Sequence, residues 1–329
     1  MFNSRLKETR KSARLKGAAS AFRNAGKWLL LPLLFGCHGG APAAPVTPLN
    51  IPKIYVTDTL NNRIVRLDDL SGNYTYWTAY AGFSGPGGIA LDSSARIYVS
   101  DTGNDRLVRI DDMNGSNWTS FVTSGGEQFS SPRGIFVDSG GNIYVTDTGN
   151  NRIVRIDTTG VWTLFGSTAG GNGTGEFSSP AGVTVGPNGK IYVSDTGNNR
   201  IVQSDDMLGT NWAAFTTSGG NQLTAPSGIF VNAAGQIYVT DTGNNRIVRM
   251  DDVTGTNWTV FGGFGSGTNQ FLKPTGISID TLGRMFVTDS GNNRIVQMDT
   301  AMDGSGWLTL GNYGSGVNQF DRPTFSVGQ

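Results

Sequence analysis

The sequence is poor in the two residues that most often build disulfides, metal sites and catalytic bases. Its 329 residues include one cysteine and one histidine, which are neighbours at Cys37 and His38. A single cysteine cannot form an intrachain disulfide, so no disulfide framework supports the fold. From residue 39 onward the chain has no histidine to serve as a general base or a zinc ligand.

Charge is also scarce, and it is unevenly placed. Lysine and arginine number 25, aspartate and glutamate also number 25, and the charged residues make up only 15% of the chain. Residues 1–36 hold eight basic residues and one acidic residue, so residues 37–329 carry a net charge of −7. Nucleic acids require a cationic protein face, and we therefore predict no nucleic-acid partner.

The basic N-terminal segment has the pattern of a targeting sequence. Residues 28–35 form an apolar run that is too short to cross a bilayer as a helix. The run ends at Gly36 and Cys37, which resembles the lipobox of bacterial lipoproteins, in which the cysteine thiol receives a lipid and becomes the mature N-terminus. We predict a lipoprotein signal peptide over residues 1–36 and lipid attachment at Cys37. The alternatives are an unmodified cysteine in an ordinary signal peptide and a single-span anchor.

Residues 37–50 are rich in glycine, alanine and proline, which predicts a semi-extended tether between the anchor and a domain. The lipid would attach the protein to a membrane of the bacterial cell envelope. His38, rather than aspartate, follows the cysteine. By resemblance to the sorting rule of some Gram-negative bacteria, this favours the outer membrane or the cell surface.

Residues 51–329 consist of copies of one phrase. IYVTDTGNNRIV at residue 143 is typical, and five related phrases begin at residues 54, 97, 191, 237 and 285. The first aspartate of the phrase recurs at intervals of 43, 46, 48, 46 and 48 residues, which is the length of one four-stranded propeller blade. The six copies predict an all-β, six-bladed β-propeller over residues 51–329.

Each copy divides into strands by its alternating pattern. IYVTD and RIVRI are rich in β-branched residues, and the intervening TGNN is a tight turn in which Gly149 is expected to supply a positive φ. A proline precedes each inner strand, and an outer strand holds one tryptophan. The first copy has no inner strand before it, whereas residues 320–328 have that pattern with no hairpin after them. We predict that this C-terminal strand closes the ring as the inner strand of the first blade.

These phrases resemble the NHL repeat, whose pattern combines P-x-G-I-A-V-D, G-N-I-Y-V-A-D and N-N-R-I. The resemblance covers residues 51–329, and we expect a monomeric propeller. Two kinds of similar propeller enzyme rely on histidine. The amidating lyases use it to bind zinc, and the streptogramin-lyase-like proteins use it for catalysis. Residues 39–329 of this chain contain no histidine for either purpose. Lactonase-like propellers hold a divalent ion with Glu, Asn and Asp, but residues 37–329 contain only two glutamates, Glu127 and Glu176. No catalytic residue, metal ligand or cofactor is therefore assigned.

An aspartate and an arginine stand at the two ends of the tight turn in every copy. The aspartate can accept N–H bonds from the turn and face the arginine across the hairpin. Because the pair recurs in all copies, we predict a structural role and not a catalytic one. The pairs are Asp58 with Arg63, Asp101 with Arg106, Asp147 with Arg152, Asp195 with Arg200, Asp241 with Arg246, and Asp289 with Arg294.

The loops between blades differ in length more than the strands do, and a rigid scaffold can use such loops for recognition. The tight turns and these loops are expected on one side of the disc, where residues 125–128, 167–176, 219–222 and 263–270 would gather. We predict that a ligand contacts this side through amide hydrogen bonds. The candidate residues are Glu127, Glu176, Asn150, Asn151, Asn198, Asn199, Asn244 and Asn245. The alternative is that the loops are spacers and any ligand uses the opposite face or the rim.

The leading functional hypothesis is a non-enzymatic interaction scaffold, anchored at the envelope, that binds a protein, peptide or glycan. One alternative is a metal-dependent hydrolase or lactonase with Asp and Asn side chains around the central channel. Another is a structural role in surface assembly. The sequence does not identify the ligand.

Overall fold

The computed structural model describes residues 53–67, 70, 74–77, 83–218 and 220–328. The predicted signal peptide over residues 1–36, the lipid-attachment residue Cys37 and the tether over residues 37–50 lie outside the described residues. In the part of the chain that is described, no helix is both long and apolar enough to cross a membrane.

Six antiparallel four-stranded sheets follow one another around a ring, as the sequence predicts. We number these blades 1 to 6, and give the strands of each from the inner to the outer. Blade 1 has Pro323–Gly328, Ile54–Asp58, Arg63–Leu67 and Tyr74–Trp77; blade 2 has Gly88–Leu91, Ile97–Asp101, Arg106–Ile110 and Thr119–Phe121. Blade 3 has Pro132–Val137, Ile143–Asp147, Arg152–Ile156 and Trp162–Gly166; blade 4 has Gly182–Val185, Ile191–Asp195, Arg200–Ser204 and Ala213–Phe215. Blade 5 has Pro226–Val231, Ile237–Asp241, Arg246–Met250 and Thr259–Phe261; blade 6 has Pro274–Ile279, Arg284–Asp289, Arg294–Asp299 and Leu308–Leu310.

Short elements complete the architecture. A single 3-10 turn joins the second and third strands of every blade, at Thr59–Asn61, Thr102–Asn104, Thr148–Asn150, Thr196–Asn198, Thr242–Asn244 and Ser290–Asn292. Three loops between blades contain paired two-residue strands. These are Thr123–Ser124 with Glu127–Gln128, Thr217–Ser218 with Asn221–Gln222, and the parallel pair Asn312–Tyr313 with Gln319–Phe320.

The C-terminal strand closes the ring, which confirms the sequence-based prediction. Strand Pro323–Gly328 is antiparallel to Ile54–Asp58, with Ile54 opposite Gly328. The Asp321 N–H donates to Asp58 Oδ1 at 2.7 Å, and the hydroxyls of Thr59 and Thr324 are 2.7 Å apart. The first blade is therefore completed by residues from both ends of the propeller sequence, and the inner edge of its sheet is paired.

The hydrophobic core is divided among the boundaries between blades. Among the described residues, six clusters of buried side chains each combine two neighbouring blades. The tryptophans at or next to the outer strands of blades 2 to 6 pack at these boundaries. The ring centroids of Phe215 in blade 4 and Trp258 in blade 5 are 5.0 Å apart, and those of Phe165 in blade 3 and Trp212 in blade 4 are 5.7 Å apart. Each blade thus buries its apolar faces only by packing against its neighbours.

The tight turn differs from the sequence-based expectation at its glycine. The positive φ belongs to the last residue of the turn, Asn151, with φ of 51°, and not to Gly149. Gly149 is needed for a close approach, because its N–H donates to the Ser130 carbonyl at 2.8 Å and a β-carbon would collide with the Ser130 side chain. Asparagine tolerates the left-handed region better than most residues, which explains its recurrence at the end of the turn.

The paired aspartate and arginine form what we call the Asp–Arg clamp. In all six blades the arginine Nε lies 2.7 Å from the aspartate Oδ2. In blade 4, Asp195 Oδ2 also accepts from Asn198 Nδ2 at 2.8 Å, and Asp195 Oδ1 accepts from the Ser178 N–H at 2.7 Å. The carboxylate therefore binds the N–H of the loop that precedes its blade, and not the turn N–H that we expected. The regular pairing of Asp195 with Arg200 extends to the end of the hairpin and directs the carboxylate towards that loop.

The guanidinium group links the clamp to the same loop. Arg200 Nη1 donates to the Asn172 carbonyl at 2.6 Å, and Nη2 donates to the Glu176 carbonyl at 2.8 Å. The Arg200 guanidinium also lies 5.4 Å from the centroid of the Trp212 ring, within the range of a cation–π interaction. One ion pair thus holds the hairpin, the loop before the blade and the outer strand together.

Burial raises the pKa of Asp195, although the Ser178 N–H, Asn198 and Arg200 all stabilise its charged form. The same cause raises the pKa of Asp58 and of Asp289. A carboxyl group whose folded pKa exceeds its unfolded pKa contributes most to stability below the unfolded pKa, and that contribution is lost as the pH rises through the folded pKa. The desolvation of these carboxylates is thus a cost of the ring at neutral pH.

Two sets of polar contacts connect successive blades. The hydroxyl that begins each 3-10 turn donates to the proline carbonyl of the next blade, at 2.6–2.9 Å in five blades and with a shorter separation from Ser290 to Pro323. The pairs are Thr59 with Pro86, Thr102 with Pro132, Thr148 with Pro180, Thr196 with Pro226, Thr242 with Pro274, and Ser290 with Pro323. The second set uses the left-handed residue that ends the turn, whose side-chain oxygen accepts an N–H from the loop before the next blade at 2.6–2.8 Å.

Deletion of residues 321–329 should disrupt the ring. The deletion removes the partner of strand Ile54–Asp58 and uncovers its inner edge, so we expect a broad thermal transition or aggregation. A permuted protein should recover a cooperative melt if residues 319–328 are placed before Ile54 and joined to it by a copy of turn residues 138–142. Differential scanning calorimetry of the three proteins checks this, and a truncated protein that melts like its parent would contradict the closure.

The substitution Asp195→Asn should destabilise the propeller by about 3–5 kcal/mol, because it leaves the buried Arg200 without its counter-charge. Urea denaturation at pH 7 measures the free energy of unfolding. The matched control is Asp206→Asn on an exposed turn, where the amide oxygen can still accept the N–H groups of Leu208 and Thr210, and we expect a much smaller change in the free energy of unfolding. Equal effects of the two substitutions would show that the clamp is not essential.

Candidate ligand-binding face

Side-chain contacts show which turns lie on the same side of the disc. On one side, each Asp–Arg clamp joins a 3-10 turn to the loop before the inner strand, as in the bonds of Arg200 to residues 172–176. We call this side the loop face. On the other side, the turn between the inner and second strands contacts the turn after the third strand, as in the ion pair of Lys190 with Asp205 at 2.9 Å. We call this side the turn face.

The first asparagine of each predicted pair holds the loop before its own blade. Asn150 Nδ2 donates to Asp147 Oδ2 at 2.9 Å and to the Gln128 carbonyl at 3.0 Å. Asn198 Nδ2 similarly donates to Asp195 and to the Gly171 carbonyl, and Asn244 Nδ2 donates to Asp241 and to the Gln222 carbonyl. The amide nitrogens of Asn150, Asn198 and Asn244 are thus already engaged within the protein.

The second asparagine of each pair connects its blade to the next. The side-chain oxygens of Asn151, Asn199 and Asn245 accept the N–H groups of Ser179, Ala225 and Lys273, respectively, at 2.7–2.8 Å. All three asparagines have a positive φ. The structure therefore assigns these side chains a role in positioning the loops, and their contact with a ligand stays a prediction.

The two candidate glutamates lie in loops of different shape. Glu127 belongs to a two-stranded hairpin, and its Oε2 pairs with Arg152 Nη1 at 2.5 Å. Glu176 closes a wider loop by accepting the Gly173 N–H at 2.9 Å. The two carboxylates thus occupy similar places in sequence but have different partners.

Three wide loops share one internal design, although their lengths differ. They are residues 167–176, 263–270 and 312–319, and only the first two were among the loops selected from the sequence. In each, the side-chain oxygen of the last residue accepts an N–H from the loop, through Glu176, Gln270 and Gln319 at 2.8–2.9 Å. Each of these loops is therefore closed by a hydrogen bond between its own residues.

Sequence reasoning missed the exposed aromatic residues of this face. Phe264 and Tyr313 are 73% and 71% exposed, and they occupy equivalent positions in two of the wide loops. Gly170 stands at the equivalent position of the third loop. The near-identity of GGFGSGTNQF at residue 262 and GNYGSGVNQF at residue 311 was the signal that could have revealed them.

The central channel has a polar mouth on the loop face. Its lining there includes Thr59, Thr102, Arg133, Thr275 and Thr324. Deeper along the axis the lining becomes mostly apolar, with Phe136 and Phe230 among its residues. Nowhere among the described residues do three or more His, Cys, Asp or Glu side chains gather as metal ligands would.

Comparison with known proteins identifies the repeats. The NHL repeat family matches residues 129–156, 177–203, 223–250 and 271–298, which lie in blades 3 to 6. No curated protein matches the chain.

Solved structures with a similar fold include two lyases and a chain of a nidogen/laminin complex. A streptogramin B lyase structure is 18% identical, with 85% of this chain and 88% of that chain covered and a TM-score of 0.59. Virginiamycin B lyase from Staphylococcus aureus is 18% identical, with 78% and 80% covered and a TM-score of 0.55. A chain of a nidogen/laminin complex is 19% identical, with 84% and 97% covered and a TM-score of 0.66.

At these identities the structural likeness shows the fold alone. Together with the repeat match and the six blades, it identifies the chain as an NHL-repeat protein with a six-bladed β-propeller fold.

Proposed function

We propose that this protein is a non-enzymatic interaction scaffold of the bacterial cell envelope, held there by a lipid on Cys37. The loop face binds its partner, which is a protein, a peptide or a glycan. The observation that carries the proposal is the construction of this face. Loops of unequal length are pinned to an otherwise uniform ring by the Asp–Arg clamps, which gives a firm and varied surface.

The residues of the propeller favour binding over catalysis. The similar solved structures include a catalytically inactive variant of virginiamycin B lyase, with quinupristin, in which a histidine is replaced by alanine. The only histidine of the present chain is His38, which lies outside the described residues. At the mouth of the channel the polar side chains are mainly hydroxyls, and they offer no general base.

Shortening the loop at residues 167–176 should abolish partner binding without changing the melting temperature. The replacement is the hairpin sequence of residues 217–222, which supports the clamp of blade 5 through the bond from Arg246 Nη2 to the Gln222 carbonyl. The partner is first identified by crosslinking on intact cells, and its binding to both proteins is then measured by biolayer interferometry.

Leu208→Ser is the matched control, because Leu208 is 86% exposed on the turn face. We expect this variant to bind the partner normally. If the loop-shortened protein binds as well as the parent, or if Leu208→Ser alone loses binding, the loop face is not the binding surface.

Addition of Ca²⁺, Mg²⁺, Mn²⁺ or Zn²⁺ to metal-free protein should leave the melting temperature unchanged. A metal bound only by the folded state would stabilise it by about 2.7 kcal/mol at a concentration one hundred times its Kd. Differential scanning fluorimetry with and without a chelator makes the measurement. A large shift from one of these ions would instead support the metal-dependent hydrolase.

A further inference from the structure

We propose that a cleft on the loop face, spanning blades 5, 6 and 1, binds an acidic peptide segment that carries apolar side chains. Residues of the cleft that would contact it are Leu60, Leu272, Lys273, Tyr313 and Arg322. We call this site the Tyr313 cleft. The inference deepens the proposed function and rests on it, since it names the chemical class of one segment of the partner and the place of that segment on the loop face. The loop at residues 167–176 lies outside this cleft and would contact another part of the same partner.

Comparison of equivalent positions in the six blades shows which side chains the fold requires. Leu60 replaces a glycine that the other five turns share, Gly103, Gly149, Gly197, Gly243 and Gly291. Lys273 and Arg322 occupy the position before the inner-strand proline, where the other blades have Gly85, Ser131, Ser179 and Ala225. The backbone is the same at these positions, with a φ of 46–53° in all six blades. The larger side chains are therefore not needed for the ring, and they gather in one sector of the loop face.

Apolar groups in this sector are open to solvent. The side chain of Leu60 is 51% exposed and that of Tyr313 is 71% exposed. Leu272 lines the same cleft, at a position where blades 2 to 5 have serine or threonine. Apolar side chains grouped in a concave surface mark an interaction site more often than isolated ones do.

The cations of the cleft lack partners, unlike those of the clamps. Neither Lys273 nor Arg322 forms an ion pair with any described residue, and their backbone N–H groups are held by Asn245 and Asn293 at 2.8 Å. Their side chains thus start from fixed points on the rim. One carboxylate, Asp321, also lines the cleft, and Arg133 stands in the adjoining channel mouth. Two cations and one carboxylate therefore line the cleft, and a third cation lies in the channel mouth beside it, although residues 37–329 carry a net charge of −7.

The polar groups of the cleft favour a peptide over an acidic polysaccharide. The Thr242 hydroxyl donates to the Pro274 carbonyl at 2.6 Å, and the Thr275 hydroxyl donates to the Thr324 carbonyl at 2.8 Å. The Asn293 side-chain oxygen already accepts the Arg322 N–H. A sugar needs many hydrogen-bond partners for its hydroxyls, and here the hydroxyl protons of Thr242 and Thr275 and the side-chain oxygen of Asn293 are already engaged. The leucine and tyrosine side chains of the cleft can instead pack against aliphatic side chains of a peptide, and the cations beside them can pair with its Asp or Glu residues.

The probe for this proposal comes from a library of short random peptides displayed on phage. Selection on the immobilised full chain at low ionic strength should enrich sequences that combine Asp or Glu with Leu, Ile or Phe. The enriched peptide is then synthesised with a fluorescein label, and its Kd is measured by fluorescence anisotropy. A version with every Asp and Glu replaced by the amide should bind at least about tenfold more weakly.

The test variants introduce residues that occur at the equivalent positions of other blades, so that the ring is preserved. The double variant Lys273→Ser with Arg322→Ser introduces the residue of positions 131 and 179, and Leu60→Gly introduces the residue of the other turns. We expect the double variant to raise the Kd at least about tenfold and Leu60→Gly to raise it about threefold or more. The control is Lys53→Ser with Lys190→Ser, which removes the same charge from the turn face and should leave the Kd unchanged.

Several outcomes would overturn the assignment. They are a selection that yields no acidic peptides, an unchanged Kd in the double variant, or binding of oligogalacturonate in place of the peptide. The failure of this inference can be distinguished from failure of the proposed function. If the peptide binds the cleft variants with an unchanged Kd but does not bind the loop-shortened protein, the cleft assignment fails and the loop face remains the proposed binding surface. If binding is lost only in the Lys53 and Lys190 variant, both proposals fail.

Discussion

The buried carboxylate at the end of each second strand is the interaction on which the propeller depends. In blade 4, Asp195 is reached by one main-chain N–H, one asparagine amide and one guanidinium, and these three donors belong to the loop, the turn and the third strand. These three donors offset part of its desolvation, and the loss of any one of them would raise the cost of burying the charge. Hairpin, loop and blade order are consequently fixed together, and the same arrangement is repeated around the ring.

This constraint explains which parts of the repeat vary. The asparagines after each aspartate recur because one holds the loop before its own blade and the other holds the loop before the next. The glycine recurs where its N–H lies 2.8 Å from a carbonyl of the loop, whereas the N–H of Leu60 in blade 1 lies 3.1 Å from the Asp321 carbonyl. Residues common to all blades thus serve architecture, and residues peculiar to one sector are available for recognition.

Most of the fold could be predicted from the sequence because its signal is periodic. Six phrases at nearly even intervals specify the blades, and the unpaired pattern near Pro323 specifies the closure. The partners of the asparagines were not predictable in this way. Asn151 binds the N–H of Ser179, which lies 28 residues further along the chain, and a local pattern carries no information about such a contact. The role of Gly149 was misjudged for the same reason, since the crowding that it relieves comes from another segment.

The buried carboxylates with raised pKa values belong to the clamps. A catalytic carboxylate needs both a shifted pKa and access to a substrate. Asp58, Asp195 and Asp289 have raised pKa values, but they are fully buried and occupied by the clamps. Under our proposal, Lys273 and Arg322 of the loop face attract an acidic partner through their positive charge. The interactions that hold the ring together thus engage these three carboxylates, and the recognition that we propose uses cations that the ring does not require.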